Sequence, residues 1–151
     1  MSMAENNRAK PQRSPTVVRT GFCLAIIVLG LCLRRFGLGL GLPGLIVKYG
    51  GSALWAAMLF FLVAIAARDL PRRHIVSISL MIAVGVELFR LVHFPWLDSF
   101  RLTLPGALLL GRIFSPWDIL AYGVGIIFGM LLDRFGSSIL FRRRSVLRGA
   151  G

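Results

Sequence analysis

Cysteine and histidine, the side chains most used to hold metals, number only two each in 151 residues. Cys23 and Cys32 share one apolar run, where the nine-residue helical spacing holds them about 13 Å apart, too far to bridge. His74 and His93 have no companion at a ligand spacing, so no zinc pattern exists and neither a metal nor a cofactor is expected. Also missing are a serine elbow, a phosphate-binding glycine loop and a cysteine nucleophile in a recognisable setting. The familiar enzyme motifs are therefore absent.

Acidic residues are scarce as well: six, against eighteen Lys and Arg. On a polar chain that balance would point to nucleic acid. Here the charges punctuate apolar runs, as they do in cytoplasmic loops that meet anionic lipid headgroups. Membrane lipids are the expected partners and nucleic acid is not.

Apolar side chains are what the chain has in plenty, with 56% hydrophobic residues and a mean hydropathy of +0.77. A soluble domain this small has too much surface for its volume to hide them; lipid can cover them. The fold expected is all-α: a polytopic integral membrane protein with about four transmembrane helices, near residues 17–33, 52–67, 75–92 and 115–132. They would form one domain over residues 17–133. Residues 1–16 read as a disordered basic arm and 134–151 as a basic tail. The first run has no small-x-small cleavage site and is closed by Arg34-Arg35, so it reads as a retained span rather than a signal peptide.

Two connections are too apolar for free loops. Residues 37–51 hold several glycines and Pro43, which argue against a regular membrane helix and suggest a short interfacial helix from Pro43. Residues 98–114 include an apolar stretch too short to cross about 30 Å of hydrocarbon. Both are expected to be interfacial or re-entrant. Twelve basic residues fall on the side of the arm, the second connection and the tail, and six on the other. Both termini are thus expected in the cytoplasm.

The polar side chains that need an explanation gather on the opposite, outward side. Glu87 and Arg90 lie three residues apart on one face of the third span. An ionisable group there costs a few kcal/mol unless paired or hydrated. They read either as an internal ion pair or as a headgroup site in which Arg90 grips an anion. Asp98, Arg101 and Arg112 follow in the connection. Ser115-Pro116-Trp117-Asp118 fits a helix start, with Asp118 capping backbone amides. Asp118, Tyr122, Gly125 and Gly129 fall on one face of the fourth span. Gly125 and Gly129 form a GxxxG packing seam, and Tyr122 and Asp118 are expected against the third span near Glu87. Trp55, Trp96 and Trp117 read as interfacial anchors.

Several short blocks together carry a family resemblance. They are Arg34-Arg35-Phe36-Gly37, Lys48-Tyr49-Gly50, Ala53-Leu54-Trp55-Ala56, Glu87-Leu88, His93 with Pro95-Trp96-Leu97-Asp98, Arg101, Leu109-Leu110-Gly111, Phe114, Trp117-Asp118, Ala121-Tyr122 and Gly125. Over roughly residues 20–133 the chain resembles an uncharacterised bacterial domain-of-unknown-function family (number 2809), itself similar to the VanZ-like membrane proteins. The resemblance implies a bacterial inner-membrane protein of four or so helices with an outward polar cluster. By position it singles out Glu87, Arg101, Asp118 and Tyr122. Ser52 stands where that family commonly has aspartate, and Arg90 where it commonly has glutamine.

Three function classes follow. In the first, a non-enzymatic membrane protein binds an envelope lipid or lipid-linked headgroup through Arg90 and Arg101, oriented by Glu87 and Asp118, with Tyr122 as hydrogen-bond donor. In the second, a membrane enzyme acts on such a lipid with Glu87 or Asp118 as acid or base. In the third, the protein is a structural component and its charges hold helices together.

Overall fold

A computed structural model describes residues 15–109 and 114–148. The arm over residues 1–14 and Arg112 fall outside the described residues, as do the side chains after Ser137. The described chain is helical: α1 (Pro15–Phe36), α2 (Gly44–Ala66), α3 (Arg72–Phe89), α4 (Pro95–Arg101), α5 (Leu104–Leu109) and α6 (Pro116–Arg148).

Three of these are long and apolar enough to cross a membrane: α1 over Thr16–Phe36, α2 over Gly44–Ala66, and α6 over Pro116–Ser137. Each of these spans, at 21 to 23 residues, reaches about 30 Å. Their apolar side chains face outward in belts, as with Leu24, Val28 and Leu29 on α1 and Val124, Ile127 and Leu131 on α6. A water-soluble monomer does not expose apolar surface on that scale. The chain is a membrane protein. The 18 residues of α3 carry Arg72, Arg73 and Glu87, and α3 is not among the three.

Prolines and glycines decide where the helices begin. Pro43 and Pro71 stand just outside α2 and α3 in extended backbone. Pro116 opens α6, its fixed φ already helical and its missing N–H no loss there. Residues 37–43 make a compact turn, in which Gly41 takes φ +79, a conformation that favours glycine. The interfacial helix expected from Pro43 is instead continuous with the second span. The Gly50-Gly51 pair does not interrupt it, because α1 covers that point: a Cβ on Gly50 would meet Leu33, and one on Gly51 would meet Arg34. The tail likewise prolongs α6 to Arg148, since no proline or glycine occurs between Gly136 and Gly149 to stop it.

The helix α2 is central, packing most extensively on α6, then on α1 and α3. Its span is 44% buried, against 11% for α1, which makes α1 the peripheral, lipid-facing helix. The core is small and aromatic: Ala56, Ala57, Phe60, Phe61 and Ala64 of α2, with Ile75 and Ala83 of α3 and Tyr122 and Ile126 of α6. The α2–α6 approach is set by the glycine pair. A Cβ on Gly125 would fall on the Ala53 backbone carbonyl, and one on Gly129 would press on the Phe60 ring at 3.0 Å. Lipid supplies no hydrophobic drive between helices, so such close contact carries the association. The seam therefore meets α2, while Tyr122 on the same helix reaches α3.

Gly125→Ala is expected to destabilise the protein by about 1–3 kcal/mol. Gly123→Ala, inside α6 where a Cβ meets nothing within 4 Å, should not destabilise it and should add up to about 1 kcal/mol of stability. Thermal unfolding of both variants in mild detergent checks the contrast.

Candidate functional site

Two polar clusters close the bundle, one at each end. The larger lies where α3 ends and α6 begins. Glu87, in the last turn of α3, has no exposed surface. Its Oε1 accepts the Ser115 backbone N–H at 2.8 Å, and its Oε2 accepts the Tyr122 hydroxyl at 2.7 Å. Arg90 Nη1 lies 2.6 Å from the same Oε2 and 3.1 Å from Oδ2 of Asp118. Asp118 Oδ1 accepts the Ser52 hydroxyl of α2 at 3.4 Å. One guanidinium thus bridges carboxylates of α3 and α6, and α2 reaches the pair through a serine.

The local sequence explains this wiring. A first turn of helix leaves backbone N–H groups without internal partners, and a carboxylate at N3 would ordinarily reach back to the N-cap N–H. Here Glu87 takes that N–H on Ser115. Asp118, expected to cap backbone amides, turns instead to Arg90 and Ser52. Both carboxylates sit at the positive end of the α6 dipole, which favours them there.

Arg101, the last residue of α4, is buried and joins α4 to the end of α3. Its guanidinium donates to the carbonyls of Phe89 at 2.7 Å and Val92 at 2.9 Å, and to Asp98 Oδ1 at 3.1 Å. It also lies over the Phe89 ring. The Phe89 carbonyl ends α3 and the Val92 carbonyl lies in the turn beyond it, so this arginine brings positive charge to the negative end of the α3 dipole.

Beside the network lies a small cavity lined by Arg34, Ser52, Trp55, Arg90, Ala107 and Tyr122. At about 10 Å³ it has room for one water-sized group. Trp55, expected as an interfacial anchor, packs against the Tyr122 ring at 5.5 Å, and its indole N–H is buried without a partner. Trp96 and Trp117 are exposed, as anchors would be. Among the described residues, no carboxylate lies within ion-pair distance of Arg34. Glu87 and Asp118 hold Arg90, Asp98 holds Arg101, Asp69 lies by Arg68, and Asp133 holds two arginines at the far end.

That far cluster is one the sequence reading did not single out. Asp133 of α6 accepts Arg19 of α1 at 2.7 Å and Arg72 of α3 at 3.0 Å, while Arg19 also donates to the Ala64 carbonyl of α2 at 2.7 Å. All four long helices meet there. The signal available was an acid closing the fourth apolar run, on the arginine-rich side of the membrane. No group of three or more potential metal-ligating side chains is found among the described residues.

Compared with known sequences, the model of one protein family, described as a protein of unknown function (DUF2809), matches residues 41–126, more than half of the chain. The match takes in α2 through the first turns of α6, and so most of the network. No solved structure matches the chain.

Removing one partner of a buried ion pair strands the other. Arg90→Gln leaves two carboxylates facing each other and should cost about 3 kcal/mol. Glu87→Gln should cost less, because Arg90 keeps Asp118. The double variant should recover part of the Arg90→Gln loss. Unfolding midpoints of the three variants measure the order.

Proposed function

The chain belongs to the DUF2809 family of proteins of unknown function, and from that premise we propose that it is a non-enzymatic membrane protein that holds the phosphate-bearing headgroup of a membrane lipid at the cavity beside Arg34. The observation that carries this reading is Arg34, which has no ion-pair carboxylate among the described residues and lines a polar cavity whose other charged group, Arg90, is held by Glu87 and Asp118. A guanidinium facing no carboxylate and a buried indole N–H offer donors only, and a phosphate offers acceptors only. The cavity takes one phosphate oxygen, and the rest of the headgroup stays at its mouth.

The other expected site residues act in this reading one step behind the ligand. Arg90 forms a cavity wall, held by Glu87 and Asp118. Tyr122 lines the same wall, with its hydroxyl given to Glu87. Arg101 keeps the end of α3 in register, so that Glu87 reaches α6. In this reading α3 is the fourth span, its Glu87 hidden from lipid, and α4 and α5 lie in the headgroup layer. In this reading the protein sits in a bacterial cytoplasmic membrane with both termini inside and the cavity outward, a reading supported by the VanZ-like resemblance and the arginine count. An envelope lipid or a lipid-linked precursor supplies the same phosphate chemistry.

A second reading is favoured by one observation: Glu87, Arg90, Asp118 and Arg101 are all engaged with one another or with backbone. In that reading the network only holds helices together, and the protein is a structural or assembly component.

Arg34→Ala separates the two. Native mass spectrometry of the gently extracted protein should show phosphatidylglycerol retention falling about fivefold, the value of one arginine at an anionic headgroup. Arg101→Ala should instead lower the unfolding temperature while retention per folded molecule holds. Unchanged retention in Arg34→Ala would remove the headgroup reading.

A further inference from the structure

A second, larger cavity adjoins the first. It is a groove of about 160 Å³ between α1 and α2, walled by Ile26, Ile27, Leu31, Leu54 and Met58, with Gly30 in its floor. A cavity of roughly this size with aliphatic walls holds a benzene-sized apolar group. From Ile26 to Arg34 it follows α1 for about 12 Å, more than a third of the hydrocarbon thickness of about 30 Å. Arg34 and Trp55 line both this groove and the polar cavity.

We infer that this groove seats one acyl chain of the lipid whose phosphate meets Arg34, so that one continuous surface receives head and tail of a single anionic phospholipid. The inference rests on the headgroup reading above and adds where the tail runs.

Charge and shape select this occupant. A helix from another protein would bring its own apolar face, but nothing to answer a guanidinium without a carboxylate at the groove's end. An uncharged lipid would fill the groove and leave the same charge unmet. A phospholipid with a net negative headgroup satisfies both parts at once. Glycine makes the geometry possible. At Gly30 a Cβ would already touch the Leu54 Cβ at 3.7 Å, so a larger side chain would occupy the groove. At Gly51 a Cβ would stand 3.4 Å from Nε of Arg34, so the bare backbone lets the arginine lie across α2 between the two cavities. The chain would run along α1, the least buried of the three candidate spans, and could enter sideways from the bilayer.

The test uses the full chain with Trp96→Phe and Trp117→Phe, both exposed positions, leaving Trp55 as the sole indole. It is reconstituted in phosphatidylcholine vesicles doped with lipids brominated on one acyl chain, since bromine quenches an indole it touches. Brominated phosphatidylglycerol should quench Trp55 at about fivefold lower mole fraction than brominated phosphatidylcholine. Gly30→Leu should bring the two lipids to the same level, and Met58→Phe fills the groove from α2 should Gly30→Leu not fold. Quenching unchanged in folded groove-filling variants would overturn the acyl-chain inference and leave the headgroup reading standing. Equal quenching by the two lipids in the parent would overturn it too, because bulk chains would then fill the groove. Failure of the headgroup reading shows separately, as phosphatidylglycerol retention that Arg34→Ala does not change.

Discussion

A carboxylate with no exposed surface constrains this bundle more than any other single group. Glu87 sits fully buried in the last turn of α3, where leaving it unpaired would cost several kcal/mol. Its partners come from two places: Arg90 one turn further on, and the start of α6, through the Ser115 N–H and the Tyr122 hydroxyl. Satisfying them fixes the end of α3 against the start of α6. The chain between forms α4 and α5, tied back to the end of α3 where Arg101 donates to the Phe89 and Val92 carbonyls.

Asp133 plays the matching part at the opposite end, gathering Arg19 and Arg72 from the two helices that begin there. Between these polar knots the interior is alanine and phenylalanine of α2 with isoleucines from α1, α3 and α6, brought close by glycine. Bulk lipid is as apolar as those side chains, so the middle is held by close approach rather than by exclusion from water. Gly125 on Ala53 is where that approach is tightest. Ends held by charge and a middle held by contact suit a protein solvated by hydrocarbon.

Much of this could be read from residue spacing. The i, i+3 interval of Glu87 and Arg90 places them together, and the Asp118–Tyr122–Gly125–Gly129 face places them on one side of α6. Of the four runs expected as spans, three are long and apolar enough to cross a membrane, and the run at 75–92, interrupted by Glu87 and begun by arginines, is not among them. The start of α2 was less legible, because glycines that would weaken an isolated helix are harmless where α1 packs over them. The bond between Glu87 and the Ser115 N–H joins residues far apart in sequence, so the release of Asp118 from capping had no local sign. Arg34 read as a mere flank of the first span. Its distinction is that it lines both cavities without an ion-pair carboxylate among the described residues, and that depends on the whole packing. Trp55 looked like Trp96 and Trp117 because composition does not separate an interfacial indole from one packed on a tyrosine.

The functional reading inherits this logic. When most ion pairs in a membrane protein close on themselves, a cation left over beside a polar cavity marks where a ligand's charge would be welcome. The arrangement depends on Glu87 and Tyr122 meeting, and the chain suits a direct measurement, with only Glu5 and Glu87, and only Tyr49 and Tyr122, of their types. Solid-state NMR of the protein in lipid bilayers, with carbon-13 at the glutamate Cδ and the tyrosine Cζ, reads their separation. A strong dipolar coupling matching the 2.7 Å hydrogen bond is the predicted result; a glutamate with no tyrosine coupling would contradict the account.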